Sequence, residues 1–370
     1  MSKVAIVHDY FVQTGGAERV AEALYSIYPD ATVFATVALP DHTPSQLEAA
    51  EIRTTWMQRL PRMSRYYRHY FLLYPWAVES LDLSGYELIL SSSSGYAKGL
   101  KRPDGSVHVC YCHTPMRWAW RSEEYTRRER HGRISRILIG ASLGSLRRWD
   151  LRASKRPDYY IANSRAVADR IQKTYNRHAE VIPPPIDVNR FQPSKAGHDD
   201  YYLVLSRLIA YKRIDLAVAA CSRLNRRLVV IGEGPEYKHL REIAGPTIEF
   251  LGRQPDEAVN DYAARCRALL FTGEEDFGMA PLEVNAAGRP VIAYRAGGAL
   301  ETVAEGVSGI FFNHPHVDSL ANAIRRFEIE QWNPSLIRAH ARSFDRSVFE
   351  ARIRDFVESV SANPVQQGAA

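Results

Sequence analysis

The feature that most restricts the fold is an alternation of short apolar runs with helix-spaced stretches, made twice and interrupted by Pro183-Pro-Pro185. In the first half the runs are Val4–Val7, Thr32–Phe34, Leu88–Ser91, Val107–Tyr111, Tyr159–Ala162 and Glu180–Ile182. Several are continuously apolar, as strands covered on both faces are. Between the first two, Ala17–Ile27 sets Val20, Leu24 and Ile27 on one side of a helix. After the prolines the runs are Tyr202–Leu205, Leu228–Ile231, Ile248–Leu251, Leu269–Thr272 and Val291–Tyr294. This pattern predicts an α/β protein with two parallel, doubly wound sheets. Consecutive prolines stop regular structure, so the first domain is expected over 1–185 and the second over 186–345. Two such units on a stiff linker would leave a cleft. Phe344–Val360 has helical spacing, and the tail Asn363–Ala370 reads as frayed.

Ligands of open α/β sheets bind outside the carboxyl ends of the strands, so the residues there matter most. Glu275-Asp-Phe-Gly-Met-Ala-Pro-Leu-Glu283 follows the run Ala268–Thr272. Pro281 marks a helix start, which puts Glu283 in the first helical turn. Two carboxylates can accept hydrogen bonds from a polyol, and unpaired N–H groups at a helix start can hold an anion. Hydroxyls plus phosphate describe a nucleotide sugar, although a capping acid beside a surface acid explains the same spacing. Arg207 and Lys212 follow the run Tyr202–Leu205. A planar fork and a mobile point charge suit a diphosphate, and a solvated basic loop is the alternative. His113 follows Val107–Tyr111, where it is either a satisfied polar residue or a catalytic one. Gly15 and Gly16 follow the first strand; they either make a tight turn or admit a ligand close to the backbone. Gly232, in Gly232-Glu-Gly234-Pro235, and Arg253 also stand at strand ends and are candidates for the nucleotide edge.

Charge narrows the partners. Residues 1–185 hold 26 basic against 18 acidic residues, whereas 186–370 hold 22 against 24. The amino half therefore favours an anionic partner. Within it, Trp56–Phe71 interleaves Arg59, Arg62, Arg65 and Arg68 with Trp56, Met57, Leu60, Met63, Tyr66, Tyr67, Tyr70 and Phe71, and contains no acid. This composition suits an interfacial basic segment at an anionic membrane surface; aromatics packed beneath a solvated arginine face are the alternative. Arg127–Arg136 is a second basic run. No nucleic-acid-binding motif accompanies either, so nucleic acid is not expected as a partner. Cys110, Cys112, Cys221 and Cys266 have neither metal-ligand nor disulfide spacing. No apolar run is long enough to span a bilayer, and the opening Met-Ser-Lys-Val-Ala-Ile-Val reads as a strand, which fits a cytoplasmic protein. Neither a dinucleotide fingerprint, a P-loop nor an Asp-x-Asp metal motif is present.

Taken together these positions resemble the retaining GT-B glycosyltransferases of family 4. The resemblance rests on Glu275–Glu283, on Asn285-Ala-Ala-Gly-Arg-Pro-Val-Ile-Ala293 and Gly297-Gly298-Ala-Leu-Glu-Thr-Val303, and on Ser206-Arg-Leu-Ile-Ala-Tyr-Lys-Arg-Ile-Asp215. Ile182–Phe191 resembles the family's linker, and Val4–Val7 with Gly15-Gly16-Ala-Glu18 its opening. Cys112-His-Thr-Pro-Met-Arg-Trp118 looks like the branch with bacterial O-antigen and exopolysaccharide mannosyltransferases. Two positions depart from the family: Asp276 stands where a glycine is common, and the linker reads Pro183-Pro-Pro-Ile-Asp187.

The resemblance implies a metal-independent transfer of a hexose, with mannose from GDP-mannose favoured over a UDP-sugar, and no bound cofactor. Its acceptor would be a polyprenyl-diphosphate-linked saccharide in surface polysaccharide synthesis, reached by an enzyme peripheral on the inner face of the plasma membrane. Glu283 would hold the ribose and Glu275 a sugar hydroxyl. Backbone N–H groups of Phe277, Gly278, Met279 and Ala280 would line the sugar and phosphate, while Arg207 and Lys212 would neutralise the diphosphate. Gly15 and Gly16 would admit the phosphates, and His113 would approach the anomeric centre. The amino domain would take the acceptor and the carboxyl domain the donor. Residues 346–370 would return to the amino domain. A phosphorylase or epimerase of the same fold, and a non-catalytic module for anionic lipid, are the other readings.

Overall fold

The structure is a computed structural model describing residues 3–13, 15–120, 133–195 and 197–362. Most of the basic run Arg127–Arg136, and the tail Asn363–Ala370, lie outside these residues. The chain divides into two compact units. Residues up to Pro185, with the chain from Phe349 onward, form one; Ile186–Val348 form the other.

The amino-terminal unit is built on β1 (Val4–His8), β2 (Thr32–Ala35), β3 (Ile52–Thr54), β4 (Leu88–Ser93), β5 (Val107–Cys112), β6 (Tyr159–Ala162) and β7 (Glu180–Val181). They are ordered β3-β2-β1-β4-β5-β6-β7, and every pairing is parallel. The carboxyl-terminal unit contains β8 (Tyr202–Leu205), β9 (Leu228–Ile231), β10 (Ile248–Gly252), β11 (Ala268–Phe271), β12 (Val291–Tyr294) and β13 (Gly309–Phe312). Their order is β10-β9-β8-β11-β12-β13, again parallel throughout. Both sheets reverse direction of winding once, between β1 and β4 and between β8 and β11. Such a switch in strand order opens a crevice at the carboxyl ends of the two flanking strands.

Two strands were not among the runs read from the sequence: β3, and β13, although Ile310-Phe-Phe312 is itself apolar and buried. β3 is an edge strand with Arg53 and Thr54 exposed, so it needs no apolar face. β13 begins at Gly309, whose added Cβ would lie 2.2 Å from the Val291 carbonyl oxygen. Thr272, expected in β11, leaves the ladder because its hydroxyl donates to the Lys212 carbonyl at 3.0 Å.

The helix Arg346–Ala362 buries Phe349, Ile353, Val357 and Val360 among Ile6, Val20, Leu24, Val33 and Leu90. It is thus part of the amino-terminal core. The linker is anchored at its far end. Ile186 N–H donates to the Phe344 carbonyl, and Arg346 N–H donates to the Ile186 carbonyl, both at 3.0 Å. All four cysteines are buried thiols.

Trp56–Phe71, the basic aromatic segment, is not one continuous helix. It is broken into the 3-10 turn Trp56–Arg59, a left-handed Arg62 (φ 50°) and the short helix Met63–Tyr66. Met57 and Met63 are buried, and Leu60, Tyr67, Tyr70 and Phe71 pack against the same core. Arg59, Arg62, Arg65 and Arg68 are exposed. Beside them stand three large apolar side chains in solvent: Trp56 (42% exposed), Leu72 (40%) and Trp76 (64%).

Candidate active site

In the carboxyl-terminal sheet the strands flanking the switch are β8 and β11, and each sends out a loop carrying predicted residues. The loop after β8 runs from Ser206 to Arg213. Leu208 anchors it, fully buried, with its N–H on the Glu233 carbonyl at 2.8 Å. The Gly232–Gly234 turn packs directly against it. Gly232 has φ 136°, and a Cβ there would lie 1.9 Å from the Ser206 carbonyl oxygen. That contact accounts for Gly232 by packing alone. Arg207 and Arg253 are exposed at the ends of their strands.

Lys212 closes the 3-10 turn Ala210–Lys212. The loop after β11 lies against its backbone, so closely that a Cβ on Gly273 would come within 2.6 Å of the Lys212 Cα. This places the Lys212 ammonium in direct ion pair with the Glu275 carboxylate, each side chain 16% exposed. Two sequence-predicted residues, 63 positions apart, are therefore brought together.

The loop then continues under a glycine floor. Gly298 N–H donates to the Glu275 carbonyl at 2.9 Å, and a Cβ on Gly298 would sit 2.2 Å from the Phe277 Cα. The Phe277 ring goes into the core. Gly278, left-handed at φ 89°, starts the helix Met279–Ala286 with no side-chain cap. The first N–H groups of a helix have no acceptor within it, so those of Met279 and Ala280, four and five residues after Glu275, have no partner inside the helix. The helix thus begins two residues before Pro281. A proline at the third position costs no internal hydrogen bond, because its N–H would have been among the unpaired ones. Glu283 consequently lies in the second turn, not the first, and is 7% exposed.

The amino-terminal unit gathers its own polar group at β1, β4 and β5. His113 Nε2 lies 2.9 Å from Ser92 Oγ, and the same hydroxyl lies 3.1 Å from His8 Nδ1. The His113 carbonyl accepts from Asn163 Nδ2 at 3.0 Å. His8 Nε2 is 3.8 Å from Glu18 Oε1, in the first turn of the helix Gly16–Ile27. A Cβ on Gly15 would lie 3.2 Å from Glu18 Oε2, so this helix start already holds a carboxylate. Asp9 accepts from the N–H groups of Ser94, Tyr96 and Ala97 at 2.6, 2.8 and 2.6 Å, which fixes the loop after β4. His8, Asp9, Glu18 and Ser92 were not singled out from sequence. The signal available was their place at strand ends or in the first turn of a helix.

Two family descriptions match. Residues 14–190 match Glycosyltransferase Family 4, and residues 185–343 match Glycosyl transferases group 1. The chain belongs to the family 4 glycosyltransferases, with the GT-B fold. A GDP-mannose-dependent alpha-(1-6)-phosphatidylinositol monomannoside mannosyltransferase of Mycobacterium tuberculosis is 33% identical over 181 residues, 41% of this chain and 47% of the relative. A D-inositol 3-phosphate glycosyltransferase of Streptosporangium roseum is 27% identical over 245 residues, 56% of each chain. The chain thus spans about half the length of the curated relatives it matches. Among solved structures, Anabaena HepE in complex with UDP has a TM-score of 0.69 at 18% identity, covering 96% of this chain and 100% of that one. That likeness concerns the fold. Among the described residues no group of three or more acids, histidines or cysteines could hold a metal ion, and no helix is long and apolar enough to cross a membrane.

Proposed function

We propose that this family 4 member transfers a hexose from a nucleotide diphosphate sugar, with retention at the anomeric carbon and without a metal. The observation that carries the reading is the Lys212–Glu275 pair, whose acid stands on the loop leading into the uncapped start of Met279–Ala286. It sets a cation, a hydroxyl acceptor and unpaired N–H groups at one sheet switch point. Lys212 and the exposed Arg207 offset charge on the departing diphosphate, an interaction that strengthens as the bond breaks. Glu275 accepts from a sugar hydroxyl and Glu283 from the ribose. The N–H groups of Phe277 to Ala280 face sugar and phosphate. Gly232 and Arg253 border the nucleotide.

The amino-terminal unit takes the acceptor. Gly15 and Gly16 admit the ligand near the backbone, and His113, oriented by Ser92, approaches the transferred sugar. The glycosidic C–O bond to phosphate breaks with its electron pair going to the phosphate oxygen. The acceptor oxygen bonds to the same face of the anomeric carbon, and its proton passes to the departing phosphate.

GDP-mannose is the donor we favour, because the mycobacterial relative is GDP-mannose-dependent. The acceptor is a lipid-linked saccharide of surface polysaccharide synthesis. Trp56, Arg59, Arg62, Arg65 and Arg68, joined by Leu72 and Trp76, would hold the protein peripherally at the anionic inner face of the plasma membrane.

A ligand raises the melting temperature of the state it binds. Stabilisation by GDP and GDP-mannose beyond UDP, ADP and their sugars is expected. Preference for UDP-glucose would keep the chemistry and change the donor, whereas stabilisation by no nucleotide would overturn the reading.

A further inference from the structure

At the amino ends of β11 and β12, the edge of the sheet opposite the Lys212–Glu275 pair, lies a cavity of about 250 Å³ lined by His198, Arg267, Arg289, Phe327, Trp332 and Pro334, among others. Its cations are unequally matched. Glu328, also in the lining, is gripped by Arg226 through Nε at 2.7 Å and Nη2 at 2.8 Å, and accepts from the Tyr202 hydroxyl at 3.0 Å. Arg267 Nη1 lies 3.0 Å from Asp200.

Arg289 differs. Its guanidinium donates through Nε to the Cys266 carbonyl at 2.7 Å, and among the described residues that guanidinium has no ion pair and no second hydrogen bond. The terminal edge of the guanidinium, two parallel N–H groups, is unspent. Burial pushes this guanidinium down from its ordinary value. A half-buried cation with no anion is costly to keep. Trp332, stacked on Phe327 at 5.3 Å and 19°, adds a second unsatisfied donor, its buried indole N–H.

We infer that this cavity is a second ligand site, for a sugar-sized molecule carrying a phosphate or carboxylate that Arg289 receives end-on through both terminal nitrogens. An oxyanion matches that fork bidentately. The cavity is smaller than the roughly 300 Å³ at which pockets for drug-sized ligands begin, so a whole nucleotide sugar is too large for it. Phe327, Trp332 and Pro334 supply the apolar wall against which a sugar ring packs.

The test is calorimetric titration of the full chain with glucose 6-phosphate, glucuronate, glucose and inorganic phosphate. Saturable binding of at least one of the first two is expected, with none for glucose and weaker binding for inorganic phosphate. Arg289→Gln should weaken that binding at least tenfold. The double variant Arg207→Ala, Lys212→Ala should keep it, since those residues stand at the other end of the sheet. Should Arg289→Gln not fold, Arg289→Lys retains the charge without the fork and should also bind more weakly. Undiminished binding by the Arg289 variants, loss only in the Arg207, Lys212 double variant, or no binding by the wild type would each overturn the assignment. Inorganic phosphate binding as tightly as the sugar anions would overturn its sugar-sized part.

Discussion

Lys212 and Glu275 form a direct ion pair at the carboxyl ends of β8 and β11, the two strands on either side of the switch in sheet order. Any diphosphate seated by Lys212 must share or replace that carboxylate. Lys212→Ala should lower turnover by about 100-fold or more, the scale of removing one group that stabilises developing charge. The pair is partly exposed, so stability should change by less than about 2 kcal/mol. Glu275→Gln should behave differently. It releases Lys212, so GDP should bind at least as well while turnover falls. Calorimetry with GDP beside initial rates separates the two variants, and unchanged rates in both would remove the pair from the mechanism.

The Ser92 hydroxyl stands between two histidines and can donate its single proton to only one of them. Ser92→Ala should therefore leave His8 and His113 without their shared partner, at a cost of about 1–3 kcal/mol for buried groups left unsatisfied. If His113 acts on the sugar, kcat should fall more than KM rises, and Ser92→Thr should restore part of the loss. Equal stability losses with unaltered kcat would make the cluster purely architectural.

His108 offers a pH signature. It is fully buried on β5, with Nε2 2.7 Å from Ser91 Oγ. Burial, reinforced by Arg102, Arg156 and Arg177, pushes its imidazole down to about 3. The folded pKa lies below the unfolded value, so between about pH 6.5 and 3 the unfolded chain binds the extra proton. Stability from this residue is present above about pH 6.5 and is lost as pH falls, by about 1.4 kcal/mol per unit. Urea melts of wild type and His108→Gln from pH 7 to pH 5 should show a shallower decline in the variant.

The four exposed arginines on 59–68 predict salt-sensitive attachment to membranes. Flotation with vesicles containing anionic phosphatidylglycerol should recover the protein at low salt and release it as salt rises. Changing Arg59, Arg62, Arg65 and Arg68 to Glu should abolish recovery, and Trp76→Ala should weaken it at any salt. Wild-type protein that stays at the bottom of the gradient at low salt argues for a solvated arginine face over packed aromatics.

Most strands were legible because a parallel sheet covered on both faces demands continuous apolar runs. β3 was not, since an edge strand reading Ile52-Arg-Thr54 carries no such demand. Arg207, Lys212, Glu275 and His113 were legible as polar residues just past an apolar run. His8 and Ser92 were hidden because the meaning of each depends on the other, 84 positions away. The start of the helix bearing Glu283 was misplaced for a local reason. Pro281 is a conspicuous marker, but the backbone turns at Gly278, where φ is 89°.

The helix Arg346–Ala362 supplies Phe349, Ile353, Val357 and Val360 to a core otherwise made by the first 182 residues. During synthesis the ribosome therefore begins one unit, makes the whole of the other, and only then releases the piece that seals the first. Until Phe349–Val360 has been made, an apolar groove over Ile6, Val33 and Leu90 stays open to chaperones and to misassociation. A nonsense codon between Val348 and Val360 would thus injure a unit whose strands were made long before it.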